Sequence, residues 1–260
     1  MKQKILSVIS FLLLCTTVVC AIAIIRIYVQ RAQDIKGFEE LSQLIYETTE
    51  DTQFNDTTTI EDNSDSTQVQ SKPKPVKKRN LAPLFELNSD CAGWVSVPNT
   101  TIDYPFMHTP EDGQKYLRKN FDGEYSLSGI PFLQENCTLD GDNIIIYGHN
   151  MKNGTMFSDL TGYLDRDFCD KNSTIELETA DGLKLFSVYT AAQVKGNHPW
   201  YGFTHADSKE SFDEKLSLLD GSLLYTTDAV PEYGRPILTL STCYGPTQAD
   251  RLIVIAVLQD

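Results

Sequence analysis

The chain has 260 residues, a formal net charge of −14 and a hydrophobic fraction of 41%. That fraction is sufficient for a packed core, so a wholly disordered protein is excluded, and the length suits one domain with appendages. The acidic net charge argues against a nucleic-acid partner, because few cationic side chains are available to neutralise phosphates. We interpret the excess of acidic residues as a solvated, soluble surface.

The N-terminus carries a long apolar run. After the short segment 1–4, no charged side chain occurs from Ile5 to Ile25. As a helix this run would span roughly 31 Å, about the hydrocarbon thickness of a bilayer. A cleaved signal peptide is the alternative, since "AIA" at 21–23 offers small residues for cleavage, but the run exceeds a usual signal-peptide core and Arg26 follows at once. We therefore predict an uncleaved transmembrane anchor at 5–25, with 1–4 in the cytoplasm and the acidic remainder outside.

Two segments separate this anchor from the rest of the chain. Apolar residues recur at helical spacing between Asp34 and Tyr46, which predicts a short amphipathic helix within a juxtamembrane segment, 26–46. From 47 to 80 the composition becomes rich in Thr, Asp and Pro, with almost nothing to bury, which predicts a disordered stalk. Together these segments predict a domain tethered near a membrane.

Residues 81–260 alternate short apolar runs with turn signals, a pattern typical of a mostly β domain. The helical pattern is confined to 155–164 and 208–219, and the pair Asp181-Gly182 predicts a hairpin turn. Strands at this spacing, without regular helical crossovers, predict a mostly antiparallel barrel or sandwich. The runs predicted as strands are "GWVSV", "TIDYPF", "GIPFLQ", "NIIIYGH", "TIELET", "LKLFSVYTA", "PILTLSTC" and "RLIVIAVL".

Three chemically distinct side chains stand at predicted strand ends. Cys243 closes "PILTLSTC", His149 closes "NIIIYGH" and Arg251 opens "RLIVIAVL". Functional groups are common where strands meet loops. A thiol with its reference pKa is only about 3% ionised at neutral pH, so a nucleophilic cysteine needs a base and a stabilising charge nearby. An imidazole and a guanidinium would supply both, and the guanidinium could also stabilise an oxyanion.

The other cysteines and histidines have simpler interpretations. Cys15 and Cys20 lie in the apolar run, where they would only pack. The four remaining cysteines could form two disulfides in an exported domain, unless the thiol at 243 stays free. No Cys-x-x-Cys or His-Glu-x-x-His motif occurs, so we predict no metal site, and the sequence indicates no cofactor. The histidines interpreted as surface or loop residues are His108, His198 and His205.

The order of these motifs resembles the sortases of Gram-positive bacteria, class B in particular. The resemblance is carried by "TLSTC" with an arginine eight residues later, by "NIIIYGHNM" upstream and by "GWVSVPNTTIDYPFM" and "YLRKNFDGEYSLSGIPFL" before it, and it covers nearly all of 81–260. It implies an eight-stranded sortase β-barrel with short peripheral helices at the start of the domain and before the cysteine strand. A transmembrane helix with its N-terminus inside would precede this catalytic domain.

The resemblance implies a role for six residues. Cys243 matches the nucleophile that takes the acyl group as a thioester. His149 matches the general acid and base, and Arg251 matches the residue that orients the substrate and steadies the oxyanion. The residues that would line the substrate groove are Ser241, Thr242 and Leu117.

The predicted function is that of a membrane-anchored cysteine transpeptidase on the extracytoplasmic face. It would cleave the C-terminal sorting signal of surface proteins and transfer the acyl group to an amine of a peptidoglycan precursor or a pilin. One alternative is an exported enzyme of the L,D-transpeptidase type, but its "GC-x-R"-like pattern is missing from the sequence. The other is a tethered surface adhesin without enzymatic activity, which would have no reactive thiol.

Overall fold

Eight strands close into one barrel in the computed structural model, which describes residues 2–47, 79–247 and 249–259. Around the barrel they follow the order β1-β2-β3-β4-β7-β8-β6-β5. The predicted eight-stranded barrel is confirmed, and each strand overlaps one of the predicted runs. The strands are β1 Cys91–Ser96, β2 Asp103–Met107, β3 Phe132–Leu133, β4 Asn143–Tyr147, β5 Thr174–Thr179, β6 Gly182–Lys195, β7 Ile237–Cys243 and β8 Asp250–Leu258.

Six of the eight neighbouring pairs in this barrel are antiparallel, as the sequence pattern predicts, and two are parallel. The parallel pairs are β2 with β3 and β4 with β7. The three isoleucines of β4, 144–146, are all fully buried, as expected for a strand whose faces are both covered. Because β4 and β7 run in the same direction, their carboxyl ends reach the same edge of the barrel. Strand β8 is antiparallel to β7, so its first residues lie at that edge too.

One long helix precedes the barrel, and the other described α-helices, of six to nine residues, are short. The predicted helix at 208–219 forms as α4, and the Ser208 side chain caps it by accepting from the backbone N–H of Ser211 at 3.2 Å. The segment predicted as helical at 155–164 folds as a 3₁₀ helix at Ser158–Leu164. The described α-helices are α1 Lys2–Glu47, α2 Ala82–Leu87, α3 Arg166–Lys171 and α4 Lys209–Ser217, with further 3₁₀ turns at Lys115–Arg118 and Pro199–Gly202.

Helix α1 joins the predicted anchor and juxtamembrane segments in one helix of 46 residues. Its part from Leu12 to Tyr46 is long and apolar enough to cross a membrane, with a mean hydropathy of 2.4 in its most apolar stretch. The last turns pack on the barrel: the ring of Phe38 meets that of Tyr104 edge-on at 5.2 Å between centroids, and Ile45 is fully buried. One helix therefore contains both the apolar N-terminal run and a contact face for the domain.

The end of α1 lies next to the residues that follow the gap in the described chain. The predicted stalk, 47–80, lies outside the described residues from 48 to 78, but its two ends are wrong: Glu47 ends helix α1, and Arg79 and Asn80 are part of the fold. On either side of that gap, the backbone N–H of Asn80 donates to the carbonyl of Ile45 at 3.1 Å. The end of α1 and the segment that leads into the barrel are thus hydrogen-bonded to each other.

A buried arginine links the end of α1 and the segment after the gap, together called the junction, to the barrel. The guanidinium of Arg79 donates to the hydroxyls of Tyr46 at 3.1 Å and Ser96 at 2.9 Å. It also lies 3.2 Å from a carboxylate oxygen of Glu176 and 3.4 Å from one of Glu178. A buried charge is tolerated when it is paired and hydrogen-bonded in this way. The Arg79 side chain is 6% exposed, so the junction is part of the folded core rather than a surface attachment.

Candidate active site

Cys243 and Arg251 are direct cross-strand neighbours at the edge of the barrel. Strand β7 ends at Cys243, strand β8 begins at Asp250, and the register pairs Cys243 with Arg251. Side chains of directly opposed residues lie on the same face of a sheet, with Cβ atoms roughly 5 Å apart. The Arg251 guanidinium donates to the carbonyl of Asp250 at 3.0 Å, and both Cys243 and Arg251 remain partly exposed.

His149 is held beside this pair by the residues on either side of it. It lies two positions beyond the end of β4, the parallel neighbour of β7. The Thr242 hydroxyl donates to the carbonyl of Gly148 at 2.8 Å, and the Asn150 amide donates to the carbonyl of Cys243 at 3.1 Å. The loop that carries the imidazole is therefore hydrogen-bonded to the end of the strand that carries the thiol.

A cavity of about 500 Å³ contains all six residues predicted for the site. The three predicted catalytic residues and the three predicted groove residues contribute to its wall, although Thr242 and Ser241 are almost fully buried. The structure thus brings together every residue selected from the sequence. These residues are Cys243, His149, Arg251, Ser241, Thr242 and Leu117.

The imidazole of His149 is in an environment that disfavours its charged form. Burial lowers its pKa, and the positive charges of Arg118 and Arg251 lower it further. The carbonyl of Leu117, 2.9 Å from Nε2, opposes these effects by accepting a hydrogen bond from the ring. With Nε2 occupied as a donor, Nδ1 is the ring nitrogen left to exchange protons.

The remaining thiols of the domain are poorly suited to react. Cys91, Cys137 and Cys169 are buried, and no disulfide joins cysteines among the described residues. Burial raises the pKa of both Cys91 and Cys137 to about 11, so their reactive thiolate forms are scarce at neutral pH. Within the domain, Cys243 is the thiol that solvent reaches.

An aromatic wall of the cavity is not predicted from the sequence. The ring of Tyr147 lies 5.5 Å from that of Phe132 and 5.7 Å from that of Tyr201. The Tyr201 hydroxyl is 2.8 Å from the Ser241 hydroxyl. Tilted aromatic rings with polar edges suit a short peptide that presents both apolar and polar atoms. The available sequence signal is "PWYG", where aromatic residues interrupt a Pro-Gly loop after β6.

The other three histidines lie away from the cavity, as predicted. His108 and His198 are partly exposed in loops, and Nδ1 of His198 accepts from the backbone N–H of Trp200 at 3.2 Å. His205 is exposed and lies 2.7 Å from a carboxylate oxygen of Asp142. None of these side chains contacts the thiol cavity.

The arrangement combines a nucleophile, a proton-transfer group and a cation in one cleft. The thiol can attack a carbonyl carbon, the guanidinium can donate to the oxygen that becomes negative, and the imidazole can exchange a proton with a leaving or attacking amine. These are the components of acyl transfer through a thioester.

Comparison with known proteins finds the same family that the sequence motifs resemble. A family model described as the sortase domain matches residues 95–259. Sortase B of Listeria monocytogenes is 34% identical over 168 residues, which cover 63% of this chain and 66% of the relative. Sortase B of Staphylococcus aureus is 24% identical over 262 residues, covering 98% of this chain and 96% of the relative.

Solved structures of sortase B proteins share the fold. The Bacillus anthracis protein superposes with a TM-score of 0.69 and 26% identity, over 89% of this chain and 99% of that chain. The Clostridium perfringens protein gives a TM-score of 0.64 and 29% identity, over 70% of this chain and all of that chain, 100%. A structure of the S. aureus enzyme described as a substrate complex gives a TM-score of 0.63 and 26% identity, over 68% of this chain and 83% of that chain.

Proposed function

The chain belongs to the sortase family of cysteine transpeptidases and is a class B member, and on that premise we propose that Cys243, His149 and Arg251 are its catalytic residues. The Cys243 thiolate attacks the scissile carbonyl of a peptide, and the Arg251 guanidinium donates to the resulting oxyanion. His149 protonates the leaving amine as the C–N bond breaks, which leaves a thioester. His149 then takes a proton from an incoming amine, which attacks the thioester and releases the thiolate.

The observation that carries this proposal is the joint position of the three groups. Cys243 and Arg251 are paired across β7 and β8, and the loop of His149 is bonded to β7 through Thr242 and Asn150. Preorganised geometry of this kind lowers the entropic cost of bringing a peptide carbonyl to all three groups.

We propose that the substrate is the C-terminal sorting signal of a surface protein and that the acceptor is an amine of a peptidoglycan precursor or a pilin. An extended peptide would lie along Ser241, Thr242 and Leu117, against the ring of Tyr201. One solved relative is described as a complex with substrate and another as a complex with triglycine, a molecule with a free amine. Both descriptions support a peptide donor and an amine acceptor for this chain.

The test is a fluorogenic pentapeptide screen followed by intact-mass measurement of the protein. A productive peptide should add the mass of its N-terminal acyl fragment, and an added amine such as triglycine should remove that mass as a new peptide product. Cys243→Ala should form neither species. Turnover by Cys243→Ala at the wild-type rate would exclude the thioester route.

We further propose that residues 5–25 anchor the protein in the cell membrane, with the N-terminus inside and the domain 81–260 on the extracytoplasmic face. The support is the exposed apolar surface of α1 between Leu12 and Ile25. A signal sequence near the N-terminus can meet the same criteria of length and hydropathy, so N-terminal sequencing of the mature protein separates the two. Protease added outside intact cells should cut in the polar segment 47–80, whereas a mature N-terminus near Ile24 would exclude the anchor.

A further inference from the structure

The backbone carbonyl that binds His149 is not anchored in the barrel. Leu117 lies in the 3₁₀ turn Lys115–Arg118, and its carbonyl oxygen is 2.9 Å from Nε2 of His149. This turn is followed by a loop that folds back on it. The backbone N–H of Ser126 donates to the carbonyl of Arg118 at 3.0 Å, and that of Ile130 donates to the carbonyl of Tyr116 at 3.3 Å. The position of the Leu117 carbonyl therefore depends on how this returning loop is held.

Gly129 is the residue of the loop whose backbone lies next to the Leu117 carbonyl. Its φ of +57° is in the left-handed region, and a Cβ there would lie 2.6 Å from the Leu117 oxygen. Because no side chain separates them, a shift of Gly129 would be transmitted directly to the carbonyl. The conformation of Gly129 is fixed in turn by Ser126, whose hydroxyl oxygen accepts from the backbone N–H groups of Ser128 at 3.1 Å and Gly129 at 3.2 Å.

The Ser126 hydroxyl uses its own proton to bind the N-terminal helix. It donates to a carboxylate oxygen of Asp34 in α1 at 2.7 Å. Ser126 is fully buried, and Asp34 is 9% exposed although it lies on a helix whose neighbouring residues are exposed. A hydrogen bond to a carboxylate is stronger than one between neutral groups. A second α1 residue, Gln30, donates to the carbonyl of Tyr125 in the same loop at 2.6 Å.

We propose that Asp34 and Ser126 are positioning residues for His149, so that the juxtamembrane part of α1 belongs to the functional unit of the enzyme. The contacts run from Asp34 to Ser126, from Ser126 to Gly129, from Gly129 to the Leu117 carbonyl and from there to the imidazole. The proposal rests on the proposed role of His149 as acid and base. It extends the functional unit beyond the domain predicted at 81–260.

The physical effect of this chain of contacts is on the protonation of His149. A carbonyl that accepts from the ring favours the imidazolium. The charged groups that act on the ring are Arg118 and Arg251, and both disfavour the imidazolium, while the thiol of Cys243 lies in the same cavity. Displacing the Leu117 carbonyl removes the group that offsets them. The pKa of His149 should then fall further, and the imidazolium that protonates the leaving amine should become scarcer.

The experiment compares Asp34→Ala and Ser126→Ala with the wild type, as full-length chains in detergent micelles. The ring pKa of His149 is measured by NMR on protein with labelled histidine, its signal being identified from the spectrum of His149→Gln. Both alanine variants should show a lower His149 pKa, and their kcat/KM should fall roughly fivefold or more, the scale of one lost hydrogen bond.

Two control variants separate positioning from general destabilisation. Asp34→Asn keeps an oxygen that can accept from Ser126, so it should restore the wild-type pKa of His149. Lys36→Ala removes an exposed ion pair with Glu40 on the same helix and should leave the ring pKa and kcat/KM unchanged. Loss of thermal stability alone would not move the His149 pKa of the folded protein.

The outcomes for the two proposals are distinguishable. Folded Asp34→Ala and Ser126→Ala proteins whose His149 pKa equals that of the wild type would overturn the positioning role, whatever their activity. A wild-type protein that forms no thioester with any peptide would overturn the proposed function, while the NMR titration would still test the contacts from α1 to the ring.

Discussion

At the scale of single residues, Cys243 differs from the other domain thiols in exposure. Cys91 and Cys137 are buried, which raises the pKa of both to about 11, and Cys169 is buried as well. We therefore expect iodoacetamide at pH 8 to alkylate Cys243 before any other cysteine of the domain, as followed by peptide mass mapping. Faster labelling of one of the three buried thiols would mean that another cysteine is the reactive one.

Arg251 allows charge and geometry to be separated. Arg251→Lys keeps the positive charge but loses the planar set of donors that can bind a carbonyl oxygen and a backbone group together. We expect kcat/KM to fall by about 10²-fold or more, the scale of one lost oxyanion donor. Arg251→Ala should be no more active, and both variants should keep a near-native melting temperature. Near-normal turnover by the lysine variant would limit Arg251 to an electrostatic role.

The pH dependence of the reaction should reflect the environment of His149. Its pKa is lowered by burial and by the charges of Arg118 and Arg251, so the acid limb of the kcat/KM profile should lie below about pH 6.5, the ordinary value of a histidine. Arg118→Gln removes one of these like charges, which should raise the His149 pKa and move the acid limb to higher pH. Arg118→Lys keeps the charge and should leave the limb in place. Added salt should reduce the difference in the pH of the acid limb between the two variants, because Arg118 is exposed and its charge is screened.

At the scale of the elements, the site is produced by the parallel pairing of β4 with β7. Thr242 reinforces this pairing beyond the end of β4, since its hydroxyl holds the carbonyl of Gly148 next to His149. Thr242→Val keeps the shape but removes that donor. We expect kcat/KM to fall about fivefold, equivalent to about 1 kcal/mol, and the melting temperature to drop by about 2–4 °C. Thr242→Ser should retain the wild-type kcat/KM and melting temperature. A fully active valine variant would show that the loop of His149 is held by its other contacts.

The elements also show what can be predicted from sequence and what cannot. The strands are predictable because their apolar runs and turns are local, and the three catalytic candidates are predictable because they stand at strand ends. The parallel pairing of β4 and β7 is not, because it joins segments far apart in the chain. The role of the Leu117 carbonyl is not either, since every residue has a backbone carbonyl and none is marked by its side chain. Amphipathic spacing at 34–46 predicts a buried helix face but does not identify Ser126 as the partner of Asp34.

At the scale of the whole molecule, Arg79 joins the N-terminal helix to the barrel. Arg79→Met would leave the buried carboxylate of Glu176 without this cation, and breaking such a pair typically costs about 3–5 kcal/mol. We expect a loss of that size in the free energy of unfolding, measured with urea on the full-length protein in micelles. Lys209→Met breaks an exposed pair with Asp213 and should change stability little. Equal stability of the two variants would mean that α1 docks without the Arg79 network.

The hydrogen bond between Asn80 and Ile45 also marks an insertion site, which we call the splice point. Because Ile45 and Asn80 are hydrogen-bonded to each other, the length of the segment between them does not set the distance from the helix to the barrel. Evolution can therefore lengthen or shorten that segment without moving the cleft. The splice point adjoins β1 and β5, which lie across the barrel from β7 in the strand order. A fluorescent reporter inserted between Glu47 and Arg79 would therefore be carried on the face away from the thiol, so that the enzyme could be followed in living cells while it works.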